Sequence, residues 1–339
     1  MHATVRESDI PAKGTIELMD AIVAEKLTKR FGEVQALQDV SFVVHQRELF
    51  GFLGPNGAGK TTTINILTGL ARPDSGVIRI GDIDCTDNPK AAQHLIGVVP
   101  DESNLYPELT GFQNLCFCAS LYGLKKSERE SRASELLKSF GLAEAASRKF
   151  GGYSKGMKRK LTIAAGIIHN PSILFLDEPT TGIDVASARQ IRQLISHLNL
   201  SGTTILLTTH YIEEAERLCA RLAFIVSGRI VQTDTIENLL QPIKQRHVME
   251  IALNNKETGS LEAMASAFPD LVIEGREENK IRVESSEPIR AGALVRYLEE
   301  RGLEVMEARR IHPSLEDVFV RITGIEAGAM KKERERSGS

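Results

Sequence analysis

The stretch Gly-Pro-Asn-Gly-Ala-Gly-Lys-Thr-Thr at residues 54–62 constrains this chain more than any other. It fits G-x-x-x-x-G-K-[ST], with Gly54, Gly59, Lys60 and Thr61 in the fixed places and Pro55, Asn56, Gly57, Ala58 and Thr62 completing the segment. Glycines let the backbone curl until several N–H groups point at one anion. Lys60 adds a cation for the β- and γ-phosphates, and the Thr61 hydroxyl is a ligand for Mg²⁺ held between them. The preceding residues 48–53 form a short apolar run that reads as a buried strand. Residues 60–70 read as a helix, whose N-terminus favours negative charge. A Gly-rich turn can match the motif by chance, but the strand–loop–helix context argues against that, and a nucleoside triphosphate is the expected ligand.

A length of 339 residues suggests two domains, one of them large. With 42% hydrophobic and 26% charged residues, the composition is that of an ordinary soluble globular protein. A net charge of −3 argues against a nucleic-acid binder that works by overall positive charge. The four cysteines, at 85, 116, 118 and 219, show no C-x-x-C spacing and read as packing thiols in a reducing cytosol. The longest apolar runs, such as 161–168 and 205–207, fall far short of a membrane span, and the N-terminus lacks an apolar signal region. The chain is expected not to cross a membrane by itself.

Residues 1–20 are unpatterned and read as a flexible extension. Strand signals follow at 21–27, 40–45, 49–53, 76–80, 96–99, 172–176 and 203–207, with helices at 60–70, 153–168 and 185–198. Residues 110–147 read as nearly all helix, the centre of a helical subdomain over about 102–165. The alternation implies an α/β domain over 21–240: a mostly parallel sheet with helices on both faces. Residues 241–246 read as a linker. Beyond them the order strand, helix, strand, strand, helix, strand predicts a small α+β ferredoxin-like domain over 247–324, with a last helix capped by Ser314. Residues 325–339 form a mixed-charge tail expected to be disordered.

At residues 173–178, Ile-Leu-Phe-Leu-Asp-Glu, two carboxylates emerge where an apolar strand ends, the end at which open α/β sheets bind ligands. An Asp-Glu pair can simply close a strand. Beside a phosphate loop, Asp177 is placed to hold Mg²⁺ through water, and Glu178 to orient and deprotonate an attacking water. His210 follows another apolar strand and can donate a hydrogen bond to a γ-phosphate. Phe31, beside Gly32, reads either as a local turn residue or as a ring for stacking on an adenine face.

Residues 54–62, Tyr153-Ser154-Lys155-Gly156-Met157, 173–178, Thr181-Gly182-Ile183-Asp184 and Thr209-His210 together resemble the motif series of ATP-binding cassette (ABC) ATPases, in order and spacing. The resemblance covers about residues 21–240 and implies a P-loop ABC ATPase fold. It implies two cassettes facing head to tail in a homodimer, with Ser154 and Gly156 binding the γ-phosphate held by the other subunit. It also implies that Asp184 shapes the dimer interface and that Phe31 stacks on adenine. The implied cofactors are ATP and Mg²⁺.

Two departures stand out. Lys155 and Met157 replace the usual Gly and Gln, a variant similar to that of daunorubicin-resistance, lipooligosaccharide and sodium-efflux exporters. Asp101 stands where the family has a Gln that reports Mg²⁺ and water occupancy to the membrane partner, and is expected either as a charged metal ligand in its place or as a cap on the turn after Pro100. Residues 311–319 resemble the ending of daunorubicin-type ATP-binding subunits.

The resemblance implies the ATP-hydrolysing subunit of an ABC transporter, an exporter of drugs, lipids or polysaccharides. Such a subunit is cytoplasmic, at the inner face of the cell membrane. It touches the membrane only through a separate integral membrane permease, and no nucleic acid. Ribosome- and DNA-acting relatives carry two cassettes or a long coiled coil, and this chain has neither. Glu178 and His210 argue against a binding-only module, and the Ser154 motif and His210 against a GTPase or kinase.

Overall fold

A computed structural model describes residues 19–244, 246–254, 260–276, 279–311 and 314–325. Of the extension expected over 1–20, residues 1–18 lie outside the described residues, as does the tail from 326. Asp20 already belongs to the first strand. By contact the chain divides into two units. One comprises the residues up to Phe50 with Lys60–Thr208, the other Gly51–Gly59 with the residues from Thr209 onward. This division falls after Thr208.

The chain opens with β1 (Asp20–Phe31), β2 (Val34–His45) and β3 (Leu49–Leu53), then α1 (Lys60–Leu67), β4 (Ser75–Ile80), β5 (Ile83–Asp84) and β6 (Ile96–Val99). An antiparallel sheet takes the order β2-β1-β4-β5. In β2, Val40, Phe42 and Val44 alternate inward, the pattern of a strand with one buried face. The helices α2 (Gly111–Leu121), α3 (Lys126–Ser139) and α4 (Lys155–Gly166) follow, the helical region expected over about 102–165. Thr110 and Gln113 close a capping box on α2. Then come β7 (Ile173–Asp177), α5 (Val185–Leu200) and β8 (Thr204–Thr209). Every residue of β3, β7 and β8 is buried, as continuous apolar runs in a parallel sheet require. β6, β7 and β8 pair in parallel.

Past β8 lie α6 (Ile212–Leu218), β9 (Arg221–Val226), β10 (Arg229–Thr235) and α7 (Ile236–Lys244). The six-stranded sheet has the order β10-β9-β3-β8-β7-β6, with β9 and β10 antiparallel. The connector expected over 241–246 differs from the structure, because α7 continues through Pro242 to Lys244. The physical reason is burial. Leu239 and Ile243, one turn apart, both enter a core with Leu53, Ile212, Leu222 and Phe224. Two such side chains contribute about 1.5–3 kcal/mol each, enough to offset roughly 3 kcal/mol for a proline inside a helix.

The remaining elements are β11 (His247–Leu253), α8 (Ser260–Ala267), β12 (Val272–Arg276), β13 (Lys280–Ser285), α9 (Ala291–Glu299), β14 (Val305–Ile311) and α10 (Leu315–Thr323). Their sheet is antiparallel throughout, in the order β12-β13-β11-β14. Met249, Ile251, Ile281 and Val283 pack on Met264, Leu294 and Leu298 of α8 and α9. The last helix does more than cover this small sheet. Leu315, Val318 and Phe319 of α10 join Phe224 and Ile243 in the core beneath α6 and α7. Asp317 meets Arg282 of β13 at 2.7 Å.

Candidate functional site

The residues 54–59 turn sharply after β3. Gly57 and Gly59 have φ of 75° and 102°, values that only glycine adopts without strain. Gly54 is demanded by a close approach, since a Cβ there would collide with the Ile225 carbonyl oxygen. Ala58 N donates to Pro55 O at 3.3 Å, and the Ala58 carbonyl accepts from Gly228 N at 3.0 Å. Pro55 is half-buried and Asn56 and Gly57 are exposed. Gly54 N donates to Thr209 O at 3.3 Å, which places the start of the loop beside the end of β8. His210, the next residue, is buried with its ring 4.0 Å from that of Tyr211.

Lys60 opens α1 and is buried, with Thr61 exposed and Thr62 half-buried after it. Its Nζ lies 3.2 Å from Oε1 of Glu178, itself buried. Glu178 follows β7 with φ at 48°, a left-handed conformation costly for a residue with a side chain. Thr208, Thr181 and Arg159 help to hold it there. Its N–H donates to Thr208 O at 3.1 Å and Thr208 Oγ1 at 3.2 Å. Thr181 Oγ1 donates to its Oε2 at 3.0 Å, and Arg159 Nη2 to its carbonyl oxygen at 3.2 Å. The buried Asp177 accepts a short hydrogen bond from the Thr208 hydroxyl. Thr208 thereby aligns both carboxylate residues.

Asp101, expected on the metal, has an exposed side chain whose Oδ1 lies 3.3 Å from Arg159 Nη2. Arg159 is a residue that sequence reasoning did not single out. It is 7% exposed and also donates to Pro100 O at 2.6 Å and Asp101 O at 2.7 Å. A signal existed: an acid in the usual place of a Gln calls for a cation nearby, and Arg159 is in the helix that Ser154 begins. Ser154 caps α4 by accepting from Met157 N at 3.2 Å and is exposed. Gly156 is buried, where a Cβ would strike the Ser187 hydroxyl. Asp184 caps α5 through Ser187 N, and that bond holds its carboxyl below the usual range. Phe31 ends β1 at a hairpin tip, 54% exposed, with Lys29 Nζ 5.3 Å from its ring centroid. The structure thus brings Lys60, Asp101, Asp177 and Glu178 into one linked network and sets Phe31 on a separate hairpin. Among the described residues no helix is long and apolar enough to cross a membrane.

A family model described as ABC transporter matches residues 37–181. A linearmycin resistance ATP-binding protein of Bacillus subtilis is 35% identical, over 89% of this chain and 97% of its own. A daunorubicin resistance ATP-binding protein of Streptomyces coeruleorubidus is 36% identical, over 90% and 95%. A Nod factor export ATP-binding protein of Burkholderia lata is 37% identical, over 88% and 95%. Among solved structures, an ATP-binding subunit of an ABC transporter matches with a TM-score of 0.60 at 31% identity, over 66% of this chain and 93% of that one. A dimeric ATP-binding cassette in a post-hydrolysis state, bound to ADP and Pi, matches at 0.58 and 28% identity, over 63% and 98%.

Proposed function

This chain belongs to the ATP-binding subunits of ABC transporters and is the ATP-hydrolysing subunit of an exporter; we propose that Lys60, Asp177, Glu178 and His210 carry its hydrolytic chemistry. The observation behind this reading is the buried Lys60–Glu178 pair at the carboxyl end of β7. A phosphate arriving at the loop competes for the Lys60 ammonium and releases the Glu178 carboxylate to accept a proton from water. That water attacks the γ-phosphorus, and ADP leaves. His210 donates a hydrogen bond to the γ-phosphate, and Phe31 supplies a face for the adenine.

Thr61 and Asp177 offer a hydroxyl and a carboxylate, the hard oxygen donors that Mg²⁺ takes, and α1 packs against β7. Mg²⁺ held there would neutralise charge on the phosphate oxygens. Ser154 and Gly156 complete the site of a second copy in a homodimer. The permease is a separate membrane protein, received beside the 101 loop and α2, where Tyr106, Phe117 and Leu121 are exposed. Of the expected cargoes, drugs, lipids or polysaccharides, the relatives named for linearmycin and daunorubicin resistance favour a drug.

The test is Glu178→Gln. It should keep ATP affinity while slowing hydrolysis by roughly 10²–10⁴-fold, the usual range for a lost general base. Unchanged turnover would remove Glu178 from the mechanism.

A further inference from the structure

We propose that Arg159 is a positioning residue for hydrolysis, a buried guanidinium that ties the Pro100–Asp101 loop to the backbone of Glu178. Two segments distant in sequence, Pro100–Asp101 and the Glu178 peptide, meet on this one side chain. Nη1 donates to Pro100 O at 2.6 Å. Nη2 reaches Asp101 O at 2.7 Å, Asp101 Oδ1 at 3.3 Å and Glu178 O at 3.2 Å. The planar fork of arginine suits this task, because its donors are fixed in one plane and never lose their charge. A buried guanidinium without acceptors would be costly, so the 101 loop and the Glu178 peptide are held to it as firmly as it is to them.

The consequence falls on Glu178. Its left-handed backbone is a strained state that persists only where neighbours over-determine it. The bond from Arg159 to its carbonyl is one of those restraints, and it leads to the 101 loop. Asp101 supplies a carboxylate among the acceptors of Arg159, offsetting the charge of the guanidinium. A displacement of the loop therefore reaches the peptide that aims the Glu178 carboxylate. Asp101 acts through Arg159 in this arrangement, which differs from the metal contact expected of it.

The inference rests on the role of Glu178 given above. The experiment measures steady-state ATP hydrolysis by the full chain, with ATP affinity from a fluorescent ATP analogue and the thermal midpoint alongside. The variants are Arg159→Lys, Asp101→Asn, the double variant and Glu178→Gln. Arg159→Lys keeps the charge and the stem but cannot serve all these acceptors at once. It should lower kcat by about tenfold or more with KM within about twofold, the mark of a misplaced catalytic group. Asp101→Asn should lower kcat by about two- to fivefold, and the double variant should be no worse than Arg159→Lys, because both act through one contact.

A kcat for Arg159→Lys within about twofold of wild type, or a double variant whose losses multiply, overturns the proposal. If Arg159→Lys unfolds early, the exposed Asp101→Asn decides: kcat must fall without a rise in KM, and an unchanged kcat overturns it. Wild-type turnover in Glu178→Gln would instead remove the role of Glu178, a result distinct from failure of the Arg159 variants alone.

Discussion

At the scale of single residues, Thr208 is the hinge of the carboxylate pair. Its hydroxyl donates to Asp177 and accepts from Glu178 N, and the residue is fully buried. Thr208→Val keeps the shape and removes both contacts. It should cost about 1–3 kcal/mol of stability, the penalty for buried polar groups deprived of a partner. It should also lower kcat while leaving ATP affinity near wild type, as measured by urea unfolding and steady-state kinetics. A variant as stable and as fast as wild type would show that Thr208 only fills space. The phosphate loop, Asp177 and Glu178 were legible in the sequence because glycines, a lysine and two carboxylates at strand ends have few other uses. Thr208 and Arg159 were not. A threonine in an apolar strand reads as a β-former, and an arginine in a helix reads as solvated. Only the fold shows that one side chain meets two distant segments.

At the scale of elements, periodicity named most strands and helices correctly, and the order of the last six elements before α10 was enough to foresee a ferredoxin-like sheet. Periodicity failed at α7, where a shift in composition masked two buried positions one turn apart. It was also silent on where α10 would dock, since an amphipathic helix shows which face it buries but not against what. The Phe319 ring stands edge-on to Phe224 of β9, with centroids 5.2 Å apart, and is fully buried. Phe319→Ala should therefore destabilise the core beneath α6 and α7 by about 3–5 kcal/mol, the range for a deleted core aromatic. Urea unfolding checks this. A midpoint unchanged from wild type would mean that α10 is dispensable to that core.

At the scale of the whole molecule, composition shifts near residue 240, and the contact division falls after Thr208. A linear reading has no means of seeing that β9 and α7 share a core with a helix some ninety residues further along. The head-to-tail dimer concerns the same scale. In each chain Ser154 stands exposed at the start of α4, and Lys60 is buried beside Glu178. If every site is built from the phosphate loop of one copy and the Ser154 helix of the other, two different defects can cancel. Ser154→Arg places a bulky cation at the helix start and should abolish turnover while sparing ATP binding by the monomer. Lys60→Ala should abolish turnover by losing the phosphate contact. In a mixed dimer, the loop of the first and the helix of the second form one intact site, and the other site carries both defects. Random pairing of equal amounts makes half the dimers mixed, each with one good site of two. If sites work independently, the mixture should recover about a quarter of the wild-type rate. Titrating one variant into the other and following phosphate release gives the answer. Recovery that peaks at equal amounts supports composite sites, and a mixture as inactive as its parents means that each chain completes its own.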